Sequence, residues 1–506
     1  MKNKKVAATV SIALLGSIGA DVANAVEGTL MNKDERVIHR NDTMIQLIDA
    51  LYENGSIDSK TYGALRASAQ GDTDAKLHEI DETEKVVQAV VDKSLPKPQP
   101  NDVKVMYKNG FRMQSTDGEH AMELHGRIQA DYLDTISGDR ETKDKFNIRR
   151  AYIYMQGYLY KNWEYLFVGA FQGNPQLIWA EINAHLWDEV QFKFGHLRFP
   201  FSVNESTSSR NIDFMARALP MQFIPGLDRG AMLHGHPTTG LYYAAGVVNG
   251  GLRNNVGLSS TGLDEDNDVD GKDFLGHISY NLAPVLGHED NVYHVGFSYA
   301  TGKQPTGPEG NSSYRLRAST ETEQIRFFEA DQFGSSSVDL ERIGVSTVLA
   351  HGPMRFTGEY VKNTFEGRAA GNDFSRDIDA YYLSAHWLLT GESYAKAFSK
   401  QNSLSDIIPT RNFDMKGGWG AWELAFRFSH LDASDFKTTN AEGAGRLRKG
   451  FANGADGYTV GLKWIINPQV RFLANYVHTE FNQPITVNGA TINSEDGLNG
   501  RVQINF

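Results

Sequence analysis

The 506-residue chain has no cysteine, and 62 acidic against 50 basic side chains give it a formal net charge of −12. An exported chain of this composition has no disulfide framework, and its acidic balance excludes a nucleic-acid footprint. The 27 Phe, 21 Tyr, 7 Trp and 49 Gly suit a protein made of strands and turns.

Lys2, Lys4 and Lys5, the apolar stretch Val6–Ile18 and the small residues Ala23-Asn24-Ala25 predict a secretory signal peptide over 1–25. Nothing after it is a run of about 18 apolar residues, which excludes helical membrane spans. Residues 26–95 predict a periplasmic helical module. Met44, Ile45, Leu47, Ile48, Leu51 and Tyr52 follow helical spacing up to Asn54-Gly55, and Asp58 is placed to cap a second helix with Tyr62 and Leu65. Leu77, Ile80, Glu84, Val87 and Val91 form a short heptad seam, so the module is either a coiled coil or a helical hairpin packed on itself. Pro96, Pro98 and Pro100 stiffen a linker over 96–102.

From 103 to 506 the apolar period changes from helical to alternating. Leu124, Gly126, Ile128 and Ala130 alternate with Glu123, His125, Arg127, Gln129 and Asp131, and Ala151, Ile153 and Met155 alternate with Arg150, Tyr152, Tyr154 and Gln156. The pattern recurs around Phe192–Phe194, Phe356–Tyr360, Trp422–Phe428, Tyr458–Trp464 and Val470–Tyr476. It ends with Val502, Ile504 and Phe506 against Arg501, Gln503 and Asn505. Segments of about ten alternating residues predict a membrane β-barrel, all-β and antiparallel, here with sixteen strands. A soluble β-sandwich would not need so many consecutive hairpins. Tight turns fall at 160–163, 186–189, 351–353 and 467–469. Long polar connections fall at 133–145, 199–227, 250–272, 301–336, 363–377, 391–417, 432–455 and 482–496, expected on the opposite side from the turns. The acidic run Asp264–Asp270 reads as a solvated loop, with anion repulsion at the mouth or weak Ca²⁺ binding as alternatives.

A charge facing lipid at mid-membrane would cost about 2–4 kcal/mol. The alternation therefore turns Arg127, Arg150, Lys193, Arg355, Arg427, Lys463, Arg471 and Arg501 into a water-filled lumen, with Glu123, Asp131, Glu181, Glu359 and Glu423. Loop 199–227 carries Phe199, Phe201, Phe214 and Leu219, anchors that favour folding inward over exposure to water. Folded inward, it narrows the pore and brings Arg198, Arg210, Arg217 and Arg229 toward the solute path. The candidate constriction set is thus Arg127, Arg149, Arg150, Lys193, Arg198, Glu205, Arg210, Arg217 and Arg229.

Several stretches resemble the phosphate-selective porin O/P family of bacterial outer membranes. They are Phe146-Asn147-Ile148-Arg149-Arg150-Ala151-Tyr152, Phe194 through Ser202 with Thr207-Ser208-Ser209-Arg210, Leu389 through Tyr394, Gly420 through Leu424, and Asn475 through His478. The resemblance spans roughly 103–506 and implies a trimeric sixteen-stranded porin with inward-folded loops, an arginine ladder, and Phe506 as the end signal for barrel assembly. Glu205 and Glu123 depart from the basic pattern of selective members, and a carboxylate beside the path opposes a multiply charged anion.

The function expected is a passive outer-membrane diffusion channel for small hydrophilic solutes, anions above all and phosphate among them. The alternatives are a general or weakly cation-preferring porin, or a barrel that mainly binds or tethers through residues 26–95. The expected partners are outer-membrane lipid, two further copies in a homotrimer, and a cell-wall or periplasmic partner of that module. No catalytic motif such as Gly-x-Ser-x-Gly or His-Glu-x-x-His occurs, and His234-Gly235-His236 lacks further ligands. Neither enzyme activity nor a metal or cofactor is expected.

Overall fold

The computed structural model describes residues 45–53, 55–70, 102–107, 110–135, 144–250, 272–305, 316–331, 333, 337–369, 371–401 and 403–506. The signal peptide, the heptad seam at 77–91, nearly all of the proline linker and the acidic run Asp264–Asp270 lie outside the described residues. The chain divides into two units, Met1–Pro98 and Gln99–Phe506, each described by itself.

In the first unit, α1 (45–53) and α2 (59–70) flank a turn. Thr61 donates its backbone N–H to the Asp58 carboxylate at 2.7 Å, the cap that the sequence predicts. Tyr52 stacks on Tyr62 at 4.3 Å, and the Tyr62 hydroxyl donates to Asp49. These contacts make the described part of the module a helical hairpin.

The second unit begins with a hairpin, β1 (Val103–Tyr107) and β2 (Phe111–Ser115), whose second strand pairs with the start of β3. The wall then runs through β3 (Ala121–Thr135), β4 (Lys145–Leu159), β5 (Trp163–Ala170), β6 (Gln176–Ala184), β7 (Gln191–Arg198), β8 (Leu227–Gly235), β9 (Leu241–Val248), β10 (Asp273–Asn281) and β11 (Asn291–Pro305). A small separate hairpin, β12 (Arg317–Ser319) and β13 (Arg326–Glu329), lies in the next connection. The wall resumes with β14 (Ser337–His351), β15 (Met354–Ala369), β16 (Asn372–Leu388), β17 (Ala421–Asp432), β18 (Gly454–Ile465), β19 (Val470–Val487) and β20 (Ala490–Asn505). Every neighbour is antiparallel, and β20 closes on β3 with Ile504 opposite Ile128 and Arg501 opposite Asp131. The sheet holds eighteen strands, of which β1 and β2 stand outside the ring, so sixteen form the barrel as the alternation predicts.

Burial is inverted relative to a soluble protein. Phe192, Phe194, Ile278, Phe297, Leu383, Phe426 and Val502 are exposed, whereas Arg127, Asp131, Arg355, Glu359 and Arg427 are buried. Lipid is the solvent that such an outer face requires. At the turn rim the Trp422 and Trp464 rings stack at 5.0 Å, and both indole N–H groups donate to the Trp419 carbonyl, the interfacial aromatic arrangement of membrane proteins. Phe506 finishes the seam by exchanging backbone hydrogen bonds with Gly126. A Cβ at 126 would lie only 2.4 Å from the Phe506 ring, which accounts for the glycine.

Three expected loops differ. Segments 363–377 and 482–496 are tall hairpins, the second turning at Asn488-Gly489 with φ of 47° and 89°. Asn-Gly is the strongest two-residue hairpin signal and outweighs the polar composition of its flanks. Connection 391–417 belongs to the turn rim: Met354 faces Trp387 in register, so β16 ends level with the tight turn at 352–353.

Candidate functional site

Three segments fold into the lumen. The first, 199–226, leaves β7 through Phe199 and Phe201, which pack with Tyr242, Leu275, Ala300 and Tyr382 of the wall. Ser202 then caps the short helix α3 (Val203–Ser206), and Glu359 of β15 accepts the backbone N–H groups of Val203 and Asn204 at 2.9 and 2.8 Å. The loop crosses to the far wall, where Gln129 donates to the Ser209 carbonyl and Arg471 and Gln503 donate to the Arg210 carbonyl. The Met215 N–H donates to Asn475, and Arg427 donates to the Ala216 carbonyl. Its apolar anchors and inward course are those expected from the sequence.

The second segment, 316–331, places Glu321 where it accepts hydrogen bonds from Arg427, Ser429, Thr459 and the Leu219 N–H. The third, 389–420, enters from the turn rim. Its Asp406 pairs with Arg210 at 2.9 Å and Arg471 at 2.8 Å, and its Leu404 N–H donates to Thr207. These segments hold each other across the lumen, so the constriction is cross-braced rather than a single flexible loop.

The remaining side of the constriction is the β3–β7 wall, and it is basic. Gln129 faces Arg150 while Ala130 faces Ile148, so Arg149 is an extra residue in β4. In a regular strand two adjacent arginines would point to opposite faces; the bulge turns both inward. Arg150 donates to Gln129, and Arg149 pairs with Glu323 at 2.9 Å. Arg127 packs over Tyr152 and Tyr154 at 5.2 and 5.5 Å and bonds the Tyr154 hydroxyl. Among the described residues neither Arg127 nor Arg150 has a carboxylate within 4.0 Å.

Glu205 is only 1% exposed and sits 3.1 Å from Arg217 and 3.8 Å from Arg198. It therefore braces two cations instead of facing the path, so the repulsion expected of it is neutralised locally. Glu123 is tied in the same way by Arg112 and Gln156. Lys193 pairs with Glu181 at 2.9 Å, below the arginines. Arg229 departs from expectation. It lies opposite His196 and alternates with Met232 and His234, so it shares the β8 face of the exposed Leu233 and not that of the buried lumen residues. Strand parity, which overrides proximity to the loop in sequence, decides its side.

Against β15–β18, Arg355 holds Asp213 at 2.6 Å, Lys463 holds Glu423 at 2.7 Å, and His386 bonds Glu423. Burial opposes ionisation of Asp213, but Arg355, His386 and Lys463 outweigh it and hold the carboxyl below its ordinary range. Asp213, His386 and Glu423 bring ligand-type atoms within 4.8 Å of one another, yet Arg355 and Lys463 already supply the counter-charge. The group pins loop 199–226, with its two carboxylates each paired to a cationic side chain.

Sequence reasoning missed Glu321, Asp213 and Asp406, which are loop carboxylates whose partners lie up to about two hundred residues away in the chain. Trp179 was also missed, although it shares the inward parity of Glu181; the bulge in β6, where Val168 faces Trp179 but Gly169 faces Leu177, lies just beyond it.

The sequence pattern of the family described as phosphate-selective porin O and P matches residues 122–506. Porin O of Pseudomonas aeruginosa is 24% identical over 449 residues, covering 80% of this chain and 93% of that protein. Among solved structures, OprB of Pseudomonas putida aligns with a TM-score of 0.47 at 8% identity, covering 76% of this chain and 94% of that one. The outer membrane channel DcaP of Acinetobacter baumannii aligns with a TM-score of 0.45 at 9% identity, covering 78% and 99%.

Proposed function

This chain belongs to the phosphate-selective porin O and P family, and from that premise we propose that this outer-membrane channel passes small hydrophilic anions by diffusion through the gap between loop 199–226 and the β3–β7 wall. The observation that carries the reading is the excess of arginine there, above all Arg127 and Arg150 without a carboxylate partner among the described residues. A unit charge about 6 Å from a passing ion is worth roughly 0.7 kcal/mol in bulk water and roughly 3 kcal/mol at an effective dielectric of 20. Such a field suffices to set ion preference without any catalytic group. Phosphate is included among the solutes on the family's description alone.

Reversal potential in a tenfold KCl gradient tests the proposal. Wild type should favour chloride, and Arg210→Glu should lower that preference. Cation preference in wild type would sink it, and chloride current unaffected by millimolar phosphate would remove phosphate from the solutes. The functional unit is proposed to be a homotrimer, tested by cross-linking in detergent. Residues 1–25 are proposed as the export signal and 26–95 as a periplasmic module with an envelope partner. Deleting 26–95 should leave conductance intact while abolishing co-sedimentation with cell wall.

A further inference from the structure

The lumen face of β3–β6 carries more than arginine. Register places His125 opposite Tyr154, Tyr154 opposite Val168, and Val168 opposite Trp179. With strands about 4.8 Å apart, these four side chains form a row roughly 15 Å long across the wall. His125 and Tyr154 are stacked at 4.8 Å with their planes within 3°. Arg127 lies over the Tyr152 and Tyr154 rings, and Arg198 lies over Trp179 at 4.6 Å. Gln129, two residues beyond Arg127 on the same face of β3, donates to the Ser209 carbonyl of the constriction loop at 3.0 Å, so the row borders the narrowed path.

A purely inorganic anion needs only charge and hydrogen bonds, and a row of ring faces would do nothing for it. Guanidinium groups stacked on aromatic rings, beside further ring faces, suit a solute that is both flat and negatively charged. Resting on the anion-channel reading above, we infer that the preferred solutes are planar carboxylates, in which an aromatic or conjugated skeleton stacks along the Tyr154–Trp179 row while the carboxylate pairs with Arg198 and Arg210. Trp179 is held for this role by its indole N–H, which donates to Glu181 at 2.8 Å. Glu181 is itself anchored by Lys193. The ring is thus fixed in orientation before any solute arrives.

Block of chloride current by benzoate and by cyclohexanecarboxylate tests the inference, since the two differ in planarity at nearly equal size and charge. Benzoate should block the wild-type channel at about two- to tenfold lower concentration, the range expected of one aromatic stacking contact. Trp179→Leu and Tyr154→Leu should bring the two into equality, and Trp179→Phe should retain the difference. Equal block in wild type overturns the inference while chloride preference in the same bilayer leaves the channel reading standing. A cation-selective wild type overturns both. Because the decisive comparison uses the unmodified protein, a variant that fails to assemble does not rescue the idea.

Discussion

Replacing Glu205 by Gln should make the channel more anion-selective. Glu205 is buried in loop 199–226 between Arg217 and Arg198, 3.1 and 3.8 Å away, and it is the carboxylate that moderates this pair. The substitution keeps the shape and removes one negative charge. For a solute passing about 7 Å away, that charge is worth roughly 0.6 kcal/mol at the dielectric of water and roughly 2.4 kcal/mol at an effective dielectric of 20. Anion permeability should therefore rise and cation permeability fall, each by a factor between about 3 and about 50, so that their ratio changes by the square of that factor. Leaving two guanidinium groups without their buried partner also destabilises the loop, by about 3–5 kcal/mol if nothing rearranges. Two measurements separate the effects: reversal potential in a KCl gradient reads selectivity, and heat-modifiable migration on gels reads barrel integrity. An intact barrel with unchanged or lowered anion preference would refute the claim that Glu205 restrains the field of the constriction.

Further outcomes follow from the packing. Gly126→Val should push the Phe506 ring from its seat and weaken closure by about 1–3 kcal/mol, seen as a lower temperature for loss of the heat-resistant band. Excising residues 399–410, which include Asp406, should raise single-channel conductance because that segment folds into the lumen; unchanged conductance would mean it lies outside the path. Asp414 accepts backbone N–H groups from Gly418 and Lys416 and pairs with Arg411, so its carboxyl is held at about 2. Its folded-state value is depressed, so the turn at 411–418 should be fully held above about pH 4 and loosen as pH falls toward 2. Hydrogen exchange at Gly418 across that range, compared with Asp414→Asn, is the check.

The barrel wall was legible because one rule acts on it throughout: a strand has period two, and lipid outside with water inside turns each period into a side. Val502, Ile504 and Phe506 against Arg501 and Gln503 announced a closing strand, and the structure seats it on β3 with Arg501 beside Asp131. The inward course of 199–226 was also readable, since Phe199, Phe201 and Phe214 had nowhere apolar to go in water.

What the sequence determined alone, then, is the wall and its alternation of lipid-facing and water-facing side chains. The constriction was decided by tertiary structure, because its contacts join residues with no local relation. Arg149 faces the lumen only through a bulge that the Arg-Arg pair does not advertise. Arg229, one residue off the lumen parity, leaves the set. Glu205 reads as a repulsive charge until Arg198 and Arg217 are seen around it, and Asp406 has no role until its segment rises from the turn rim to meet Arg210 and Arg471. Alternation is a property of neighbours along the chain, whereas a pore is narrowed by side chains that meet across it.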